Sequence, residues 1–181
     1  WILLTVYVLD VHQRQRLPRI VTAIIAAGMS ANLGKLALGR IRPRELAVDR
    51  VWDSFVGWFP GFHSELPPGL TSSDCQSIPS GHAAVATALA IGLSLLYPRG
   101  RWLFACFAVL ASLQRIETCA HYPSDTLAGA ALACLVWAAF LDRRGLGRWF
   151  ERWEANRAVT NRTETTVVIS TLARYDTDTG V

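Results

Sequence analysis

Apolar residues along this chain gather into four blocks, Ile20–Gly39, Gly81–Tyr97, Trp102–Thr118 and Thr126–Leu141, with polar and arginine-bearing segments between them. Each block approaches the roughly 20 residues that a helix needs to cross the hydrocarbon core of a bilayer. The pattern therefore predicts four spanning helices in an all-α, polytopic membrane bundle. Residues 1 to 9 (WILLTVYVL) read as the end of a further span, because the chain opens inside an apolar stretch with no initiator Met and no signal-peptide layout. That predicts a longer protein of which this is a part. The polar residues divide it into a membrane-embedded domain over 1–150 and a Thr- and Arg-rich tail over 151–181, expected to be a short surface helix followed by disorder.

Composition agrees with lipid as the solvent: 51% of residues are hydrophobic, 18% are charged and the mean hydropathy is +0.26. The net charge of +4 comes largely from arginines in three short segments: Arg14, Arg16 and Arg19; Arg99 and Arg101; and Arg143, Arg144 and Arg148. Arginine accumulates on the cytoplasmic side of short loops, so these three segments share one predicted face. The opposite face takes the long connection from Arg40 to Ile78 and the short one around His121, where Glu45, Asp49, Asp53, Glu65 and Asp74 offset the cations. No basic stripe with interleaved aromatics occurs, so nucleic acid is not an expected partner. Within the long connection, Val51 to His63 (VWDSFVGWFPGFH) is rich in Trp and Phe, a composition suited to an anchor at the headgroup level or to the edge of a lipid entrance. Asn161-Arg162-Thr163 matches a glycosylation acceptor but falls on the cytoplasmic side and carries no weight.

Three polar clusters stand at the outer ends of the apolar blocks. In the first, Lys35 is followed after six residues by Arg42, immediately before Pro43. Either cation alone would be explained by snorkelling to the headgroups, which is the reading for the neighbouring Arg40 and Arg44. In the second, Pro79-Ser80-Gly81-His82 opens an apolar helix, where free backbone N–H groups and the helix dipole make an anion site. Ser80 can add a hydroxyl, Gly81 allows close approach, and His82 stands at the same end. An ordinary capped helix start is the alternative for this tetrapeptide taken alone. In the third, His121 and Asp125 lie four apart, so a carboxylate can orient an imidazole, and Arg115 can return a planar fork of donors to the same pocket. Three such clusters, in order and on one side, point to phosphate chemistry.

These residues carry a specific resemblance. KLALGRIRP fits K-x6-RP, PSGH is complete, and RIETCAHYPSD fits R-x5-H-x3-D, so Lys35 to Asp125 is similar to the type 2 phosphatidic acid phosphatase family, relatives of the vanadium haloperoxidases. The resemblance implies a six-helix bundle, of which this chain holds about four spans and part of another, and a metal-independent lipid phosphatase without a cofactor. It makes His121 the nucleophile, Asp125 its orienter, His82 the general acid, and Lys35, Arg42, Ser80, Gly81 and Arg115 the phosphate cradle. The family usually has Ser before the motif's Arg, whereas this chain has Gln114, whose amide could replace, crowd or lose that contact.

The expected partners are a membrane lipid phosphate and the bilayer, with no obligate protein partner evident; a bacterial inner membrane with an extracytoplasmic site is the expected setting. With His121 as nucleophile the expected reaction is hydrolysis through a phosphohistidine; a phosphotransferase using that same intermediate, a soluble-type haloperoxidase and a non-catalytic scaffold are the competing readings. No Cys/His spacing suits zinc and no carboxylate cage suits a divalent metal. Cys75 and Cys119 both fall outside the apolar blocks next to the motifs, so a disulfide between them is an expectation for an oxidising compartment.

Overall fold

The computed structural model describes residues 1–46, 48–59, 69–142, 144–157 and 159. It is mostly helical: α1 (Ile2–Leu9), α2 (Leu17–Ala37), α3 (Gly81–Leu96), α4 (Arg101–Glu117) and α5 (Pro123–Leu141). The four apolar blocks correspond to α2 to α5. Two stretches are long and apolar enough to cross a membrane, Gln13–Ala37 (25 residues, including the 3-10 turn that leads into α2) and Pro123–Leu141 (19 residues). α3 has 16 residues and α4 has 17; at 1.5 Å per residue they are about 24–26 Å long.

By contact the chain forms two compact units, Trp1–Pro18 with the chain from Phe140 onward, and Arg19–Ala139. In the first, Arg14 Nε donates to the Tyr7 carbonyl at 2.6 Å and its guanidinium lies over the Tyr7 ring, while Phe150 stacks on Phe140 and meets Trp149 edge-on. A helix covers residues 146–157. Arg143, Pro60 to His63, Glu65, the Asn161–Thr163 tripeptide and the stretch 160–181 lie outside the described residues.

In the larger unit the packing is the reverse of a water-soluble bundle. α2 buries Ile20, Ala23, Ala27 and Ala31, whereas Val21, Ile25, Met29, Leu33 and Leu36 face outward, between 39% and 64% exposed. α3 likewise buries Ala83, Ala84 and Ala88, and α4 turns Leu103, Phe107, Leu110 and Leu113 outward. Small residues inside let backbones approach, and large apolar residues outside suit lipid tails. In water so continuous an apolar surface would be a liability. α3 packs along α4. It is also tied to α5 by the buried Trp137, whose indole N–H donates to the Ala88 carbonyl at 2.9 Å.

A feature absent from the all-α expectation positions the site. α2 ends at Ala37 rather than Gly39, because Leu38–Arg40 forms β1, antiparallel to β2 (Phe55–Trp58) with Leu38 opposite Trp58 and a register shift between Gly39 and Arg40. The chain beyond β1 is then gripped from two sides. Ile41 N–H donates to Ser54, and Arg40 and Arg42 N–H donate to the carbonyls of Cys75 and Asp74 at 2.8 Å. The long connection between α2 and α3 thus folds back along the first cluster and delivers the second. Trp52, Phe55, Trp58 and Phe59 on this connection are exposed.

Candidate active site

Main-chain hydrogen bonds pin the three clusters to one another pairwise. Ser77 N–H donates to the Arg40 carbonyl at 3.0 Å, joining the first to the second; Ser80 N–H donates to the Asp125 carbonyl at 2.9 Å, joining the second to the third; and Arg44 N–H donates to the Cys119 carbonyl at 3.1 Å, joining the first to the third. Within the third, Ala120 and His121 N–H both donate to the Arg115 carbonyl. The turn between them is closed by Cys119 in the left-handed region at φ 50°. Backbone groups buried away from water must be paired, so these contacts fix the mutual position of side chains that are far apart in sequence.

Ser80 is the N-cap of α3, and its hydroxyl oxygen accepts from Ala83 N–H at 3.4 Å. The N–H groups of Gly81 and His82, first in the helix, have no intrahelical acceptor. A Cβ placed on Gly81 would meet the Lys35 ammonium at 3.9 Å, so that cation stands over the positive end of the helix. The charges of Arg115, Lys35 and Arg42 all reach His82, and those of Arg42 and Lys35 reach His121. Lys35 and Arg42 thus lie within electrostatic reach of both imidazoles. Arg42 Nε donates to the Ser73 carbonyl at 3.0 Å and Arg115 Nε to Gln114 Oε1 at 2.7 Å. Among the described residues no carboxylate pairs with Lys35, Arg42 or Arg115. Such an unbalanced positive cluster at a helix N-terminus is what a phosphate needs. Burial first, then the guanidiniums of Arg44 and Arg115, lower the pKa of Arg42 against the opposing effect of Asp74 and Glu45.

His121 is 3% exposed and Asp125 is fully buried. The pair does not form the direct hydrogen bond that the spacing suggests. His121 Nδ1 lies 2.7 Å from the Ser77 carbonyl and 3.9 Å from Asp125 Oδ2. A carbonyl oxygen only accepts, so Nδ1 carries the proton and Nε2 keeps its lone pair. Asp125 serves as a hub one step back: Oδ2 accepts from the Ser77 hydroxyl at 2.5 Å and from Tyr122 N–H at 2.9 Å. Burial lowers the His121 pKa below the usual histidine value; the Ser77 carbonyl and Asp125 oppose this, and Arg42 and Lys35 reinforce it. The free imidazole is thereby favoured.

Four residues in this arrangement were not singled out from sequence. Arg40, read as a snorkelling cation, instead places Nη1 2.7 Å from both Asp125 Oδ1 and the Ser124 hydroxyl, because β1 turns it inward. Arg44, read in the same way, pairs with Asp74 and Glu45. Ser77 left no signal at all. Gly129 did leave one: Asp125, Gly129, Ala133 and Trp137 recur every four residues and are all buried, one face of α5. Gln114, which stands where the family usually has Ser, accepts the Arg115 Nε–H at Oε1. The disulfide expectation is not met, since Cys75 and Cys119 are both free, the first buried and the second exposed. No group of three or more His, Cys, Asp or Glu side chains that could hold a metal occurs among the described residues.

A family model described as the PAP2 superfamily matches residues 17–145, which contain every site residue named above. Among curated proteins, the lipid A 1-phosphatase of Rhizobium etli is 36% identical over 110 residues, 61% of this chain and 42% of that protein. The lipid A 1-phosphatase of Rhizobium johnstonii is 35% identical over 126 residues, 68% of this chain and 47% of that protein. The undecaprenyl-diphosphatase of Sulfolobus acidocaldarius is 37% identical over 67 residues, 36% of this chain and 32% of that protein. The chain spans less than half the length of the curated relatives it matches. No solved structure matches this chain.

Proposed function

Because the chain belongs to the PAP2 superfamily, we propose that the protein hydrolyses a membrane lipid phosphate or diphosphate through a phosphohistidine, without a metal. The observation that carries this reading is the cluster of Lys35, Arg42 and Arg115, with no carboxylate partner among the described residues, at the N-terminus of α3: Lys35 and Arg42 act on both imidazoles and Arg115 on that of His82. His121 Nε2 attacks phosphorus, an N–P bond forms, and the bond to the lipid oxygen breaks as protonated His82 gives that oxygen its proton. Water then attacks the phosphohistidine with His82 as base, releasing phosphate and freeing Nε2. Lys35, Arg42, Arg115, the Ser80 hydroxyl and the N–H of Gly81 stabilise the equatorial oxygens through both steps. Asp125 holds the environment of the nucleophile through Ser77.

A lipid as substrate is supported by a cavity of about 840 Å³ between α3, α4 and α5, which reaches Ile116, Pro123 and Thr126 beside the site. Three of its four hydroxyls turn back on their own helices: Ser94 donates to Ala90, Ser112 to Ala108 and Thr126 to Pro123. Apart from Thr87 and Arg101, the rest of the lining is apolar. The relatives' names, lipid A 1-phosphatase and undecaprenyl-diphosphatase, agree with this class of substrate. Residues 1–150 form the membrane-embedded phosphatase domain, with α2 to α5 as spans in a six-span protein and 151–181 as a cytoplasmic tail. The arginines at 14, 16, 19, 99 and 101 then face the cytoplasm of a bacterial inner membrane, and the site opens outside.

Phosphate release from a panel of lipid phosphates and diphosphates in detergent tests the proposal. Turnover is expected to persist in EDTA and to favour long acyl or isoprenyl chains. Loss in EDTA that a divalent metal restores would contradict the mechanism, and transfer of the phosphoryl group to another lipid would make the protein a phosphotransferase. With the His121 pKa lowered, protonation removes the nucleophile only at more acid pH. The acid limb of kcat/KM is accordingly expected below the usual histidine value of about 6.5; a limb above it would contradict the assignment.

A further inference from the structure

We propose that Arg40 is a positioning residue for the His121 imidazole, acting from both of its ends: the Arg40 carbonyl holds the Ser77 N–H, and its guanidinium holds Asp125, which holds the Ser77 hydroxyl. Ser77 in turn presents the carbonyl that takes the His121 Nδ1 proton. The inference rests on His121 being the nucleophile and adds to it the residue that fixes its tautomer and its charge.

The guanidinium is held as a fixed fork. Nη1 bonds Asp125 and Ser124 at 2.7 Å, Nε lies 3.2 Å from the Ser54 hydroxyl, and the plane covers the Tyr122 ring at 4.0 Å. Every contact comes from a segment that borders the site: Ser54 in the turn before β2, and Tyr122 to Asp125 where α5 begins. Asp125 is fully buried, and Arg40 is its ion-pair partner at 2.7 Å. A buried carboxylate keeps its charge only when paired. The alternative cation is His121, whose Nδ1 lies 3.9 Å from Asp125 Oδ2. Arg40 thus keeps Asp125 satisfied and leaves the imidazole neutral. The other charges that face His121, Arg42 and Lys35, are repulsive to an imidazolium and act in the same sense.

Removing the Arg40 charge transfers the carboxylate's demand to the imidazole, the more basic member of the remaining pair. The full chain, labelled with 15N-histidine and placed in lipid nanodiscs, gives the His121 titration midpoint by NMR whether or not lipid is turned over. In Arg40→Gln the midpoint should rise by about one to three pH units, the range of an opposite charge at this distance, and the acid limb of kcat/KM should rise with it. In Arg40→Gln/Asp125→Asn, where the uncompensated charge is also gone, the midpoint should fall back. A midpoint that stays put in Arg40→Gln, or stays high in the double variant, overturns the proposal, since a merely structural arginine would lower activity without moving it. Arg40→Lys keeps the charge without the fork and is the variant to use if the glutamine chain does not fold. It should leave the midpoint unchanged and lower kcat about ten-fold; unaltered kcat there also overturns the proposal. Absence of phosphate release from every lipid in the unsubstituted chain would instead sink the phosphatase reading, leaving the NMR midpoints to decide Arg40.

Discussion

His121→Ala is expected to reduce phosphate release about ten-thousand-fold, to the level left by substrate binding and the cationic cradle alone. The geometry gives the reason. Nδ1 is committed to the Ser77 carbonyl, so Nε2 is the nitrogen with an available lone pair. His82 stands at the helix N-terminus among three positive charges; the bound phosphate offsets them, so that His82 can hold the proton the leaving oxygen takes. The alanine leaves the Ser77 carbonyl without its partner, which costs about 1–3 kcal/mol, so the unfolding temperature should fall modestly while the chain still folds. Rapid acid-free quenching after mixing with a 32P-labelled lipid phosphate should trap an acid-labile, alkali-stable phosphoprotein in the unsubstituted chain and none in the variant. Appreciable turnover in the alanine chain, or a phosphoprotein that survives acid, would remove His121 from the role.

Gly129→Ala should be nearly as damaging although Gly129 carries no chemistry. A Cβ at this position would lie 2.2 Å from the Ser80 carbonyl oxygen and 3.2 Å from Ala84 N. All the atoms concerned are backbone, so no rotamer change relieves the clash. α5 must move away from the start of α3 by about an ångström, an overpacking strain of about 3 kcal/mol or more. The same movement pulls at the bond from Ser80 N–H to the Asp125 carbonyl, which joins the phosphate-binding helix start to the nucleophile's segment. Misplacement on that scale lowers catalysis about a hundred-fold. Thermal unfolding in detergent and phosphate release should therefore fall together, and an alanine chain matching the unsubstituted one in both would show that the two helices do not approach this closely.

The linear order of residues determined the helical bundle, the lipid environment and the identity of the chemical groups. Apolar blocks of near-spanning length require helices whatever their neighbours, because a backbone in hydrocarbon must satisfy its own hydrogen bonds. The pairs Lys35 with Arg42, Ser80 with His82, and His121 with Asp125 were legible because each lies within a short local spacing at a helix end. What the spacing could not supply was which groups meet across the clusters. The i, i+4 relation put Asp125 on the face of His121, yet the hydrogen bond goes to Ser77, 44 residues away. Arg40 looked like one more interfacial cation until β1 and the returning segment at 74–77 enclosed it beside Asp125. Local pattern reports a residue's own helix or strand face, whereas pairing in a buried polar network depends on long-range closure. That closure was decided only by the tertiary structure.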